Sequence, residues 1–403
     1  SDSEITVEIG VRTGYATESQ GVDDIIYNEG EIPITSFQTS EEAGNDSCTS
    51  TMECTNECQS KSINGKWLEI CYCYTGNAGI EPVRTSDEML AYLGLTSKGN
   101  RSSVSYDEVI ADGIYETQDD YGTTYYFRGN VTNNYVYFAG YYWRIIRING
   151  NGSLRLIYDG TVAHANGESS DDRQIGTSTY NENYNDNAYI GYMYGQAGSS
   201  TYKETHANTN NSAIKSTVDN WYKTNIVDKG YENYVDDVIY CNDREIASDS
   251  SSYVNGAGIL GYGTNITIYA PTSRHLKPDY DWKNVREIKM TCSQQNDRFT
   301  VDDTTNGNGA LTYPVGLITL DETLAAVGPY GNKSYYLYTG QNYWTMSPND
   351  YCSGAYVFYM YSDNRLERYY VSMNFGVRPV ISLKSSIILK GNGTISDPYQ
   401  VIS

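Results

Sequence analysis

Residues 143–158 read WRIIRINGNGSLRLIY, and no other stretch restricts the folding of this chain so strongly. Two runs rich in Ile, Leu and aromatic side chains flank Asn149-Gly150-Asn151-Gly152. These residue types accept positive φ, so the chain reverses there and the runs pair as a β-hairpin. Two strands alone are marginal in water, so the hairpin must belong to a larger sheet. TTYYFRG and NYVYFAG, just upstream, supply strand-like neighbours.

At 403 residues the chain has room for a substantial core and for two or more domains. Asn, Gly, Ser, Thr and Asp dominate its polar residues, a turn-rich and β-rich usage. The aromatic content is 42 Tyr against 6 Phe, which suits rigid surfaces that bury a ring and hydrogen-bond at its tip. With 28 basic and 50 acidic residues the net charge is −22, a field that repels phosphate backbones and excludes nucleic acid as a partner.

Two regions are expected. Residues 1–101 form a Cys-rich N-terminal region with short strands in SEITVEIGVRTGY and EIPITSF, a helix in TSDEMLAYLGL capped by Ser86, and a linker in SKGNRSSVS. Residues 102–403 form the main domain. There SAIKSTVDNWYKTNI reads as an amphipathic helix capped by Ser212, and ENYVDDVIYC and TLDETLAAVG read as short helices, the latter with Thr319 and Glu322 at capping-box spacing. The Asn/Ser/Tyr-rich segment 177–205 reads as loop. Five of the 8 Cys crowd into residues 48–73, which favours disulfides in an oxidising compartment, with a zinc knuckle as the competing reading. Cys241 and Cys292 are either a disulfide or two buried thiols. No apolar run approaches a membrane-spanning length and no signal peptide opens the chain, so the expected anchor is not in this sequence.

Catalytic signatures are missing. The 3 His fall in no HExxH or paired-ligand spacing, and there is no GxSxG, P-loop or GxGxxG. Abundant carboxylates neither support nor remove a glycan-active enzyme, which would need two of them at catalytic separation in a pocket. No cofactor is required by any motif. NDRFTVDDTTNGNG is the best metal candidate, with Asp297, Asp302 and Asp303 as oxygen ligands for a structural calcium and a plain acidic turn as the alternative.

VYFAGYYWRIIRINGNGSLRLIYDG, YIGYMYG, TVDNWYKTNI, IYCNDRE, FTVD, YPVGLITLDE, YWTMSP, GVRPVISL and GNGTISDPYQVI occur in one order over the C-terminal three quarters. In these blocks the chain resembles a family of surface proteins from gut Firmicutes and mollicute-like bacteria. The resemblance implies an α+β, C-type lectin-like fold of the formylglycine-generating enzyme type, antiparallel and β-rich, with a few helices and long loops. It carries no enzymatic activity, because fold alone is no warrant for chemistry. Some members are variable proteins of diversity-generating retroelements, in which adenine-directed mutagenesis rewrites a segment near the C-terminus. Here that segment is about 344–376, between fixed flanks containing Trp344, Gly376, Arg378 and Pro379.

The residue types in that segment agree with the implication. An AAY codon altered at both adenines can become Tyr, Ser, Asp, Asn, Cys, Phe, Arg, Gly or Ala, among others, but never Glu, Lys, Gln, Met or Trp. The expected outward, ligand-binding set is Asn349, Asp350, Tyr351, Ser353, Tyr356, Tyr359, Tyr361, Asn364, Arg365, Arg368, Tyr369, Tyr370, Ser372, Asn374 and Phe375. Ala355, Val357, Phe358, Leu366 and Val371 form the expected inward frame, Cys352 is an incidental product of sampling, and Met360, Glu367 and Met373 fall outside the code. The resulting expectation is an extracellular, surface-anchored adhesin-type protein recognising a protein or glycan on another cell, phage or host surface. A pilin-like structural role, with self-assembly through the N-terminal region, is the alternative.

Overall fold

The computed structural model describes residues 7–13, 53–63, 66–74, 83–105, 108, 110–247, 260–275, 286–326 and 333–402, the first three stretches as strand backbone alone. The chain divides into two compact units, Ser1–Ile80 and Glu81–Ser403. In the first, strand Lys66–Tyr74 lies between Val7–Thr13 and Glu53–Ile63 in an antiparallel sheet. Its register sets Cys54 opposite Cys73 and Cys58 opposite Cys71. Cys48 and the strand expected in EIPITSF lie outside the described residues.

The second unit begins at Glu81, ahead of the boundary expected at Ser102. Arg84 donates to the carbonyls of Ser385 and Ile387 at 3.0 and 2.9 Å, tying this stretch to the C-terminal end of the chain. Helix Ser86–Tyr92 is capped by Thr85, not Ser86, because Thr85 stands three residues before Glu88 and the two close a capping box. Met89, Leu90 and Leu93 are buried as expected. The expected linker is sheet: Ser97–Asn100 pairs in parallel with Gly113–Asp119, and Ser103–Val104 pairs with Arg286–Glu287.

The hairpin forms as its sequence demands, Tyr141–Ile148 pairing antiparallel with Leu154–Gly160. Asn149 and Ser153 close the reversal through a 2.9 Å backbone bond. Gly152 sits at φ +83°, and a Cβ there would lie 1.9 Å from the carbonyl oxygen of Arg84, so only glycine fits. Around the hairpin grows a nine-stranded sheet that includes Gly122–Arg128, Tyr135–Phe138, Val380–Leu383 and Tyr399–Ile402. A second, six-stranded sheet is centred on Tyr343–Tyr351. Among the described residues the architecture is α+β, mostly strands with few helices, and no sheet closes into a barrel.

Helix Ala213–Asn225 is capped by Ser212 and buries Ile214, Val218 and Tyr222, while Trp221 packs 5.6 Å from the ring of Tyr158. Helix Leu320–Ala326 carries its expected capping box, with Thr319 and Glu322 exchanging bonds of 2.9 and 3.1 Å. ENYVDDVIYC is not a helix. It makes one 3-10 turn at Glu232–Tyr234 and then extends, because Asp236 N bonds to Ser382 O and Tyr240–Cys241 pairs with Arg298–Phe299. Segment 177–205 is loop only in part, containing Thr177–Thr179 as a strand, the 3-10 turn Asn187–Ile190 and helix Tyr202–Thr205. Cys241 and Cys292 form a disulfide at a sequence separation of 51. In the chain-entropy model a loop of that length contributes about 4 kcal/mol.

The interior also holds buried polar and charged groups, and arginines are the largest of them. Asp159, at the end of the hairpin, accepts from Arg173 Nε at 2.8 Å and from Arg378 Nη2 at 2.9 Å, and Arg144 Nη1 lies 3.9 Å away. All four side chains are fully buried. The guanidiniums spend further donors on the backbone carbonyls of Tyr158, Leu337, Tyr336, Tyr338, Glu168 and Val131, and Arg144 also donates to the side-chain oxygens of Asn134 and Asn166. Burial pulls Arg144 down to about 10, which leaves it charged at neutral pH. Replacing Asp159 by Ala would strand these cations in the interior, so the expected loss is about 3–5 kcal/mol. Urea unfolding of D159A checks this, and a change below about 1 kcal/mol would contradict the assignment.

Candidate ligand-binding surface

The C-terminal segment builds its surface on the six-stranded sheet. Strand Tyr343–Tyr351 is central, flanked by Ala355–Met360, Asn374–Gly376 and Thr267–Ile268, and Leu366–Tyr370 pairs outside Ala355–Met360. The central strand is anchored from all sides. Trp344 Nε1 donates to Ser178 O at 2.9 Å, Thr345 Oγ1 to Phe358 O at 2.8 Å, and Met346 N to Ile318 O at 2.8 Å. At the far flank a Cβ on Gly376 would overlap Gln174 Oε1 at 1.8 Å, and the carbonyl of Pro379 accepts from Tyr158 N at 2.9 Å. Both flanks are therefore held by contacts outside the segment.

Between the flanks, Ala355, Val357, Phe358, Leu366 and Val371 are all buried. Met360 is buried with them, which gives one of the three codon exceptions a place in the frame. Ser353, Tyr369 and Asn374 are exposed, and Tyr356, Tyr361, Arg365, Arg368, Tyr370, Ser372 and Phe375 are half-buried. Glu367 is half-buried and Met373 is exposed, and nothing in the structure explains why they stand outside the code.

Five residues expected outside are inside: Asn349, Asp350, Tyr351, Tyr359 and Asn364. The first three belong to the central strand, which is paired on both edges as far as Tyr351. Tyr359 is sandwiched, stacking on Phe375 at 4.4 Å and meeting Trp344 edge-on at 6.1 Å, and burial raises its phenol to about 12. Asn364 holds the turn between strands at φ +77°, a conformation Asn tolerates better than most residues. Asn349 and Asp350 both accept from Arg368, whose guanidinium lies 5.0 Å over the ring of Tyr356.

The aromatic side chains make one continuous run of ring contacts around the outer strand, Tyr369 standing on one side of it and Tyr370 on the other. Trp344, Phe375, Tyr359, Tyr369, Tyr370 and Tyr356 follow one another at centroid separations of 4.8, 4.4, 6.3, 6.1 and 4.2 Å. Tyr184 extends the run, 5.3 Å from Tyr370 and 46% exposed, while its carbonyl accepts from Ala355 N. Sequence reasoning missed Tyr184, because only the fold carries it from the Asn-rich segment to this face. Ser353 Oγ lies 2.9 Å from the Tyr370 hydroxyl and 3.5 Å from that of Tyr356. Hydrogen bonding from Ser353 and Tyr356 holds the Tyr370 phenol below its usual value, whereas burial raises Tyr356 to about 12. The face offers rigid rings with polar tips, suited to contact rather than to proton transfer. Cys352 is half-exposed at its edge.

The calcium candidates do not converge. Asp297 is buried against Arg244, accepting from Nε at 2.6 Å. Asp303 is used within its own turn by the amides of Thr305 and Asn306, and Asp302 points to solvent. Among the described residues no cluster of three or more His, Cys, Asp or Glu is arranged to hold a metal. Carboxylates do gather elsewhere, where Asp119, Asp321 and Glu322 line a cavity of about 20 Å³ with Arg147 and Arg155. That is room for about one water. Burial pushes the Glu322 carboxyl up, but Arg155 and Arg147 outweigh it and hold the group below its usual range.

Comparison of the chain with family models, with curated proteins and with solved structures finds no match. The interior pairing under the surface makes a separate prediction. Asp350 is fully buried and Arg368 is its cation, so R368A leaves a lone interior carboxylate and should cost about 3 kcal/mol in chemical denaturation. R368A combined with D350N should recover part of that loss, and no recovery would count against the pairing.

Proposed function

We propose that Glu81–Ser403 is the display domain of an extracellular, surface-anchored binding protein with a C-type lectin-like fold of the formylglycine-generating enzyme type. Its Tyr-rich face recognises a protein or glycan ligand on another cell, phage or host surface, and a diversity-generating retroelement rewrites the outward residues. The observation that carries this reading is the division of one short segment: its aliphatic frame is buried while Ser353, Tyr356, Tyr361, Arg365, Arg368, Tyr369, Tyr370, Ser372, Asn374 and Phe375 reach solvent. Every one of those outward types is within reach of a mutagenised AAY codon.

The chemistry of the face supports the same reading. Tyr supplies contact area at low entropic cost and Ser, Asn and Arg supply adaptable hydrogen bonds, as in antibody paratopes. The Cys241–Cys292 disulfide suits an oxidising, extracytoplasmic setting. Among the described residues no helix is long and apolar enough to cross a membrane.

Two experiments test the proposal. Replacing Tyr356, Tyr369 and Tyr370 together by Ala should weaken a ligand captured from cell-surface extracts by about a hundredfold or more while the unfolding midpoint moves little. Retained affinity would remove this face from the site. Sequencing the flanking DNA should reveal a reverse transcriptase gene and a near-copy of the codons for residues 344–383 that differs at adenines only; a flank lacking both would exclude the retroelement.

A further inference from the structure

A concave surface lies on the nine-stranded sheet, lined by no residue of the segment 344–376. Its floor is set by strand register. Tyr142 in Tyr141–Ile148 is opposite Tyr137 in Tyr135–Phe138, and Tyr137 is opposite Gln400 in Tyr399–Ile402. Cross-strand partners share a face, so Tyr142, Tyr137 and Gln400 form one outward row across three strands. Their neighbours Val136, Phe138 and Tyr399 are turned into the core. The two rings meet at 5.1 Å and 60°.

Two loops rise beside this floor, one at Thr161–Ala163 and one at Ile395–Pro398, and leave an open depression of about 440 Å³. That lies within the range of small-ligand sites. Both loops are held from behind. Asp172 accepts from Thr161 N and Oγ1 at 2.9 Å each and lies 3.0 Å from His164 Nε2. On the other side the amide of Asp397 donates to Thr394 O at 3.2 Å, and its carboxylate accepts from Asn392 Nδ2 at 2.7 Å. The cleft is thus shaped before any ligand arrives, which lowers the entropic cost of binding.

We propose that this cleft binds a short, uncharged saccharide. No Lys, Arg, Asp or Glu lines it, in a chain of net charge −22, so the site selects against charged ligands by offering them no counterion. The phenol hydroxyls of Tyr137 and Tyr142 and the amide of Gln400 make no hydrogen bond to other described residues, leaving donors and acceptors free beside two ring faces. A sugar ring presents the complementary pattern, an apolar C–H face edged by hydroxyls. Val162 and Ile395, 56% and 43% exposed, supply apolar contact at the rim. A proline-rich peptide would use the rings but leave the amide and hydroxyl row poorly matched.

The test titrates the full chain with lactose, maltotriose and chitotriose as neutral probes, sialyllactose as an acidic probe and decaproline as a peptide probe, read by calorimetry. Saturable binding of at least one neutral saccharide is expected, weakened about tenfold or more by Tyr137→Ala and by Gln400→Ala and unchanged by Tyr369→Ala on the other face. Val162→Arg fills the cleft from an exposed position without removing a core contact, and should abolish binding while thermal unfolding stays unchanged. The proposal is overturned if no neutral probe binds, if only sialyllactose or decaproline binds, or if binding survives Val162→Arg. Loss with Tyr369→Ala alone would move the saccharide to the Tyr-rich face and leave the first proposal standing without this one.

Discussion

Asp159 is where distant parts of the second unit are joined. It sits at the end of the hairpin, yet it binds Arg173 from the segment that follows and Arg378 from the far end of the chain, 219 residues away. In an interior of low dielectric such a carboxylate is tolerated only because its cations are fixed and their other donors are satisfied. Those donors reach backbone carbonyls at 336–338, so a stretch without regular secondary structure is positioned by arginine rather than by a ladder. Glu322 repeats the device nearer the turn of the hairpin, between Arg147 and Arg155.

That arrangement explains what could and could not be seen in the sequence. The hairpin, helix Ala213–Asn225 with its Ser212 cap and the Thr319/Glu322 capping box were legible because each rests on local geometry, a turn or a first helical turn. Arg144, Arg147 and Arg155 were not, since alternation within a strand suggests that they face water, and only a sheet covered on both sides buries them. ENYVDDVIYC failed for the same kind of reason: its helical spacing lost to long-range pairing with 298–299 and with the backbone near Ser382. At the surface, the frame residues were legible from their apolar character. Polar type at Asn349 and Asp350 does not signal exposure, because Arg368 pairs with them beneath the surface.

The outward part of the segment and its interior part obey different rules. Tyr369 and Ser353 are exposed and their contacts are with other side chains of the same segment, so many side chains can stand there at little cost to stability. Asn364 and Arg368 are outward in type but structural in position, one by its positive φ and the other by its buried partner. Tolerance of change on this face is therefore a property of each backbone position.

Strand register adds a further consequence. Across Ala355–Met360 and Leu366–Tyr370, Tyr356 stands opposite Tyr370, while Val357 stands opposite Tyr369 and projects from the other side. Because side chains alternate with a period of two, adding or removing one residue would carry every later side chain of the strand to the opposite side and break the pairs Tyr356–Tyr370 and Val357–Tyr369. The surface thus has a fixed reading frame of its own, and it can be rewritten letter by letter but never lengthened or shortened by one.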